Sequence, residues 1–284
     1  MTASPSVCAV VLAGPRAEPL SASLTALAHQ PRPPRETVVV HVGEAAPATA
    51  GRLAGRALHV GLEAGTAGAC SDGVRAACST AAEWIWLLDG LAVPGPDALE
   101  ALLEGAARGG SGPRACVRAG GRVVTGDGET HPRALPWPVL LDKEAVLSAA
   151  AQRLVAVRAA RHGSLLVRRS AIETEGLPRT EYRARGDDLE WTSRVLRAGP
   201  GFLVPGSVAV RRRGEADRPG AGAARPWRGR RNALDLLARG PFSLQERLWF
   251  GYGLTRAAGS GPRPSRSPRA TTPTARRRPS AARR

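Results

Sequence analysis

The first half of the chain alternates short β-forming runs with helical segments, and this alternation constrains the fold more than any other feature. Four runs rich in apolar residues are predicted to be buried strands: Val7–Leu12, Thr37–Val42, Leu58–Val60 and Glu83–Leu88. Three helical segments alternate with these strands along the chain: Pro19–His29, Ala67–Ala82 and Pro96–Ala107. This alternation indicates an α/β fold with a mostly parallel sheet flanked by helices.

The second half is less regular, but its runs are long enough to extend the same domain. Gly120–Gly121 lies between two short β-forming runs and predicts a hairpin from Ala115–Arg118 to Arg122–Val124. Three more strands are predicted at Ser164–Val167, Phe202–Val204 and Ser207–Val210. Helices are predicted at Ser170–Glu175, Asp187–Ala198, Arg230–Ala238 and Leu244–Tyr252. We therefore assign residues 1–252 to one domain.

The C-terminal end has a different composition from the rest. After Thr255 it contains nine arginines and no acidic residue, so of the net charge of +17 only 17 − 9 = +8 belongs to the body. Glycine, proline, serine and threonine dominate there, without a periodic apolar face. Such a sequence buries too little apolar surface to order itself. We expect residues 253–284 to be a disordered basic tail.

Several functional classes are disfavoured by simple counts. The apolar run Val7–Ala13 is too short for a signal peptide or a membrane span, so a cytoplasmic location is expected. The four cysteines form no CxxC pair and no zinc-binding spacing. The tail has no aromatic residues between its arginines, so base stacking on nucleic acid is not supported. Its charge would instead suit peripheral contact with an anionic membrane.

Four segments, in order, resemble the family 2 glycosyltransferases, which have the GT-A fold. They are AVVLAGPRAEPLSASLTALAHQPRPPRETVVV, LEAGTAGACSDGVRAA, WIWLLDGLAVPGPDALEALL, and HGSLLVRRSAIETEGLP with RGDDLEWTSRVLRAG. The last segment is most similar to the rhamnosyl- and galactofuranosyl-transferase branch of actinobacteria. The resemblance implies an inverting transferase that moves a sugar from a UDP- or dTDP-linked donor. It implies a glycan or lipid-linked acceptor, in cell-envelope or polysaccharide synthesis.

The acidic start of one predicted helix is the candidate catalytic centre. An inverting transfer needs a general base within hydrogen-bond reach of the acceptor hydroxyl. Asp187 and Asp188 lie at a helix N-terminus, where the helix dipole favours negative charge. By resemblance Asp188 is the base, and Glu190 is a helper or acceptor contact. The alternative is that Asp187 only caps the helix and Asp188 is a favourable first-turn charge.

The metal-binding turn of the family is incomplete in this chain. The family carries two or three aspartates there, some of which hold Mg²⁺ or Mn²⁺ on the diphosphate. This chain has Asp89 followed by Gly90 and Leu91, so one carboxylate remains. A hard divalent cation needs several oxygen ligands. Asp89 is therefore a weak metal ligand, and Mg²⁺ or Mn²⁺ is expected only in a degraded site.

An arginine stands where the family often has a further metal-binding histidine. Arg211 follows the late strand, with Arg212 and Arg213 behind it. Arginine cannot bind a cation, but it binds phosphate oxygens with bidentate geometry. We hypothesise that Arg211 replaces the metal on the diphosphate. The alternative is a solvated basic run.

Three other residues are candidate donor contacts by resemblance. His41 ends the second strand, where the family usually has an aspartate that contacts the base or ribose. Gly68 and Ser71 lie in the small-residue segment, with the serine in place of a usual asparagine. His41 could equally be an ordinary rim residue, and the glycine could serve helix packing. Because several family-typical residues are replaced in this chain, a second hypothesis stays open: a catalytically silent glycosyltransferase-like domain that binds a glycan or a protein.

Overall fold

The computed structural model describes residues 5–13, 17–42, 56–60, 65–110, 115–131, 134–182, 186–212 and 226–259. The chain divides into two compact units, Met1–Ser243 and Leu244–Arg284. The first unit contains a ten-stranded sheet and its flanking helices. The described part of the second unit is one helix. Residues 260–284, most of the predicted tail, lie outside the described residues.

The sheet contains the strands predicted for the first half and several more. In chain order they are β1 (Val7–Ala13), β2 (Glu36–Val42), β3 (Arg56–Val60), β4 (Trp84–Asp89), β5 (Ala92–Pro94), β6 (Arg118–Val124), β7 (Trp137–Pro138), β8 (Val155–Ala159), β9 (Ser164–Arg168) and β10 (Gly201–Arg211). Their order across the sheet is β3-β2-β1-β4-β9-β6-β10-β8-β7, and β5 pairs with β10. The half from β3 to β4 is parallel, whereas the other half is mixed because β9, β8 and β5 run in the opposite direction.

Eight helices occur in the described part of the chain. They are α1 (Ala17–Ala28), α2 (Gly65–Cys78), α3 (Ala98–Arg108), α4 (Lys143–Ala151), α5 (Arg169–Glu175), α6 (Asp187–Val195), α7 (Pro226–Arg239) and α8 (Leu244–Gly259). The last helix runs seven residues beyond Tyr252, where the sequence predicts the domain to end.

Both faces of the sheet are buried, and this explains the continuous apolar runs. Alternate residues of β1 point to opposite sides, so Ala9 and Val11 belong to one core cluster and Cys8 and Val10 to the other. Leucines of α1 and α3 cover the first face. The second face is covered by α2 and by α6, which buries Trp191. The predicted α/β architecture, a central sheet flanked by helices, is confirmed.

The predicted hairpin at Gly120–Gly121 is wrong, because Arg118–Val124 is a single strand between β9 and β10. The glycines serve close packing rather than a turn. A Cβ atom on Gly121 would lie 2.8 Å from the Ser207 hydroxyl oxygen. One on Gly120 would lie 2.5 Å from a terminal nitrogen of Arg118. The two short strands predicted after residue 201 are likewise one strand, β10, with an irregularity between Val204 and Val208.

Helix α4 and strand β8 were not predicted. Within α4, Ala149 is the buried residue, so the segment lacks the apolar stripe that signals a helix.

None of the described helices combines the length and apolar character needed to cross a bilayer.

One arginine is buried inside the sheet layer and has no acidic neighbour among the residues that the structure describes. Arg118 of β6 is 1% exposed, and within the described residues its Nε and Nη1 atoms have no hydrogen-bond partner. Burial lowers the pKa of its guanidinium to about 10. A buried charge without compensating partners costs free energy.

We therefore expect Arg118→Met, which keeps most of the side-chain volume, to raise the free energy of unfolding by about 1–3 kcal/mol. Denaturant unfolding of the full chain measures this change. Arg108→Met is the control, because Arg108 is an exposed residue of α3 in a loose pair with Glu104. A clear loss of stability in Arg118→Met would contradict this account of the buried charge.

Candidate active site

The candidate site begins at the carboxyl end of β4, where Asp89 enters a tight turn. The backbone N–H of Gly90 donates to the Leu12 carbonyl at 2.9 Å, which holds the turn against the end of β1. The N–H of Leu91 donates to Asp89 Oδ1 at 3.0 Å. The N–H of Asp89 donates to the Gly163 carbonyl at 3.2 Å, just before β9. The turn is therefore fixed by β1, by the residue before β9 and by its own aspartate.

Arg211 at the end of β10 forms an ion pair with Asp89. Strand β5 follows the turn and pairs antiparallel with β10, with Ala92 opposite Arg211. This pairing carries Arg211 to the aspartate, and its Nη1 donates to Asp89 Oδ2. The two side chains are 15% and 29% exposed. The arginine and the aspartate that the sequence assigns to the diphosphate site thus lie in direct contact.

The residues at this turn do not fit a divalent cation. Within the described residues, no group of three or more histidine, cysteine, aspartate or glutamate side chains is arranged to hold a metal. Asp89 supplies one carboxylate, and Arg211 already occupies one of its oxygens. A guanidinium beside the carboxylate repels a second cation. The donor set is that of an arginine–aspartate pair.

The packing around Gly90 leaves no room for a second carboxylate directly after Asp89. A Cβ atom at this position would lie 2.6 Å from the Leu12 carbonyl oxygen and 3.0 Å from the Ala13 Cα. Both contacts are with backbone, so no side-chain adjustment relieves them. The turn packs too closely on β1 to accept any side chain at residue 90.

The predicted base, Asp188, lies in the first turn of α6. Its Oδ1 and Oδ2 accept hydrogen bonds from Arg161 Nη1 at 3.2 and 3.5 Å, and Oδ1 also accepts from the Leu189 N–H at 2.8 Å. The Asp188 side chain is 14% exposed. The carboxylate is therefore oriented by a cation and by the helix N-terminus but remains reachable from solvent.

Asp187 is buried and ties α6 to α2. Its Oδ2 lies 3.9 Å from His162 Nδ1, and His162 Nε2 lies 3.8 Å from the Cys70 thiol of α2. Burial raises the pKa of Asp187, and His162 partly opposes this shift. Burial also raises the pKa of the Cys70 thiol, so this cysteine is a poor nucleophile. A raised carboxyl pKa means that Asp187 destabilises the fold as the pH rises above its unfolded pKa of 3.8.

Glu190 lies one helical turn further along α6, and its carboxylate is occupied by arginines. Arg194 binds both of its oxygens, at 2.7 and 3.2 Å, and Arg179 approaches to 3.5 Å. Arg194 also donates to the carbonyls of Glu175 and Leu177. The geometry assigns Glu190 to this network.

One predicted donor contact lies at the same edge of the sheet as the turn, and the other two lie in α2. His41 is buried at the end of β2, opposite Ala13 of β1, so it is two strands or roughly 10 Å from β4. Gly68 and Ser71 are buried on either side of Cys70 in α2. Arg212 is exposed, its N–H donating to the Leu91 carbonyl, and Arg213 lies outside the described residues.

Three consecutive residues that sequence reasoning missed hold the site together. Arg161 binds Asp188, His162 contacts Asp187, and Gly163 accepts the hydrogen bond from the N–H of Asp89. This tripeptide connects the start of α6 to the end of β4. The signal that could have identified it is the pair of basic side chains directly before the strand in RHGSLLV.

The chain matches no protein-family model, and no curated protein matches it. Solved structures share its fold. TarS of S. aureus aligns with a TM-score of 0.56 and 10% identity over 85% of this chain. GalNAc-T7, solved with UDP, GalNAc and Mn²⁺, aligns with a TM-score of 0.56 and 14% identity over 74% of it. The chain spans less than half of either protein, 41% and 44%. Both are GT-A-type glycosyltransferases, so the chain has a GT-A-like fold.

We expect Gly90→Asp, which adds back an aspartate to the motif, to destabilise the protein by about 1–3 kcal/mol because its Cβ overlaps backbone atoms. Gly90→Ala should have a similar effect. Thermal unfolding measures both, with Gly126→Ala as the control, since a Cβ atom there meets nothing within 4 Å. Wild-type stability in Gly90→Asp would show that β1 can move away from the turn.

Proposed function

We propose that this chain is an inverting glycosyltransferase that moves a sugar from a nucleotide-diphospho-sugar to a hydroxyl group of a glycan or lipid-linked acceptor. The observation that carries the proposal is the tripeptide Arg161–Gly163. It couples a solvent-reachable carboxylate, Asp188, to the turn where Asp89 pairs with Arg211. The GT-A-like fold supports a donor site at this edge.

Asp188 is proposed as the general base. It takes the proton of the acceptor hydroxyl while that oxygen bonds to the anomeric carbon of the donor sugar. The bond from that carbon to the diphosphate breaks, and the nucleoside diphosphate leaves. Arg161 fixes the orientation of the carboxylate, which favours a single productive geometry.

Arg211 is proposed to stabilise the leaving diphosphate in place of a metal ion. Negative charge accumulates on the diphosphate oxygens as the sugar departs, and a positioned cation lowers the energy of that state. Asp89 holds the guanidinium at the turn through one terminal nitrogen. In this role Asp89 is a positioning residue, and His41, Gly68 and Ser71 are the proposed contacts of the nucleotide or sugar.

The finer identity of the substrates follows from the sequence resemblance. It favours rhamnose or galactofuranose on dTDP or UDP, and an acceptor of cell-envelope polysaccharide synthesis. The arginine-rich tail would place the enzyme at an anionic membrane, where a lipid-linked acceptor is found.

A catalytically silent domain is the second candidate. The observation in its favour is that both Asp89 and Asp188 are already paired with arginines. A site of this kind that has lost its donor would bind no nucleoside diphosphate. Titration with nucleoside diphosphates therefore separates the two candidates.

Calorimetric titration of the full chain with UDP and dTDP tests the donor site. We expect binding of one of them with the same affinity in Mn²⁺ and in EDTA. Arg211→Gln should weaken it at least about tenfold, because one charge-assisted contact contributes about 1.5–3 kcal/mol. Arg32→Gln, at an exposed arginine paired with Glu100, is the control for general loss of charge.

Asp89→Asn distinguishes the arginine from a metal. If Arg211 binds the diphosphate, the substitution keeps metal-independent binding. If Asp89 recruits a cation, binding is lost in the variant and in EDTA alike. Absence of binding by both nucleotides in the wild-type chain would favour the silent domain.

Asp188→Asn tests the base. Nucleoside diphosphate release from a panel of UDP- and dTDP-sugars should fall by about 10²–10⁴-fold, because general base catalysis contributes that much. Nucleotide affinity should stay unchanged, since Asp188 does not contact the diphosphate. Glu104→Gln, at an exposed glutamate of α3, is the matched control. Unchanged turnover in Asp188→Asn would remove the proposed role.

A further inference from the structure

A cleft of about 90 Å³ opens beside α6, at the arginine network around Glu190. Its eight lining residues come from three segments: Arg179 and Tyr182, then Glu190, Arg194 and Arg197, then Arg239, Gly240 and Pro241. Four of the eight are arginines and one is an acid. The lining is therefore basic, although Glu175 and Asp235 lie behind two of its arginines.

The arginines of the cleft differ in how much of their bonding capacity is used. Arg194 is 12% exposed and fully engaged with Glu190 and two carbonyls. Arg179, Arg197 and Arg239 are 50%, 60% and 80% exposed. Their nearest acidic oxygens lie 3.5, 3.8 and 3.4 Å away, and each pair is closest at Nε.

Three guanidinium groups that are half or more exposed therefore line one cleft. In the described part of the chain, no acceptor is hydrogen-bonded to the Nη atoms of Arg179, Arg197 or Arg239. Exposed pairs at such distances contribute little stability, so folding alone gives a weak reason for the cluster. A phosphate group matches it, because guanidinium forks bind phosphate oxygens in parallel pairs.

The floor of the cleft is held in place by hydrogen bonds. Glu190 is 3% exposed and holds Arg194 by two hydrogen bonds. The Tyr182 hydroxyl donates to Asp235, which also pairs with Arg239. A ligand would meet a pre-ordered wall, with only the outer arginines left to close on it.

We propose that this cleft binds a phosphate or diphosphate group, and, resting on the function proposed above, that the group belongs to the acceptor. Asp188 and Arg194 are six residues apart on α6, which is an axial rise of about 9 Å. At about 100° per residue, Glu190 and Arg194 lie on a different side of the helix from Asp188, so an acceptor must extend around α6 to connect the two. A phosphate held there would anchor an acceptor whose reacting hydroxyl reaches Asp188.

Fluorine NMR on the full chain labelled with fluorotyrosine tests the site directly. The chain has two tyrosines, and Tyr182 lines the cleft, so Tyr182→Phe assigns the signals. Inorganic pyrophosphate is titrated in saturating UDP, which fills the donor site if that site exists. We expect a saturable shift of the Tyr182 signal in the wild type and in Arg32→Gln.

The double variant Arg179→Gln with Arg239→Gln should bind pyrophosphate at least about tenfold more weakly. It should remain folded, because Glu190 keeps Arg194 and Asp235 keeps Tyr182. A Tyr182 signal that does not move, or equal affinity in the double variant, would overturn the proposal. The donor-site titration is separate, so failure of UDP binding leaves this result readable.

Phosphatidylcholine vesicles that contain a polyprenyl diphosphate identify the source of the phosphate. Weaker retention of the double variant than of Arg32→Gln supports a lipid-linked ligand. Equal retention, together with the loss of pyrophosphate binding, supports a soluble phosphorylated one. Both variants keep the basic tail, so its attraction to the vesicles is the same in each.

Discussion

The hydrogen bonds and ion pairs of three consecutive residues, Arg161 to Gly163, hold the candidate site together. They precede β9, the antiparallel strand beside β4, and so reach both the Asp89 turn and the start of α6. Asp89 and Asp188 belong to separate elements, and these contacts connect them. The antiparallel insertion of β9 next to the parallel half of the sheet is what makes the connection possible.

The close backbone packing at the turn and the ion pair between Arg211 and Asp89 follow from one constraint. The turn lies so near β1 that residue 90 has no room for a side chain. Residue 90 therefore cannot add a second carboxylate beside Asp89, and the described residues hold no cluster of three or more metal-ligating side chains. The positive charge beside Asp89 comes from Arg211, which is brought to the turn by the pairing of β5 with β10.

The parts of this molecule that were predicted from sequence are those encoded locally. Strand β1 is buried on both faces and reads as a continuous apolar run, and α6 begins at a pair of aspartates. The Gly120–Gly121 pair has the local signature of a turn, but neighbouring strands and Arg118 decide its conformation. Arg161 binds Asp188 across a sequence separation of 27 residues, and Arg211 binds Asp89 across a separation of 122. No local pattern reveals these partners.

The rigid helix α6 carries both Asp188 and the arginine at the floor of the cleft. Trp191 is fully buried and its Nε1 donates to the Gly176 carbonyl at 3.1 Å. Thr192 exchanges hydrogen bonds with Ala160 at 2.9 and 3.0 Å. A helix fixed on that side cannot shift without breaking the core, so the separation between Asp188 and Arg194 is constant. An acceptor anchored in the cleft would then be selected by the length between its phosphate and its hydroxyl, and selection of that kind needs no moving loop.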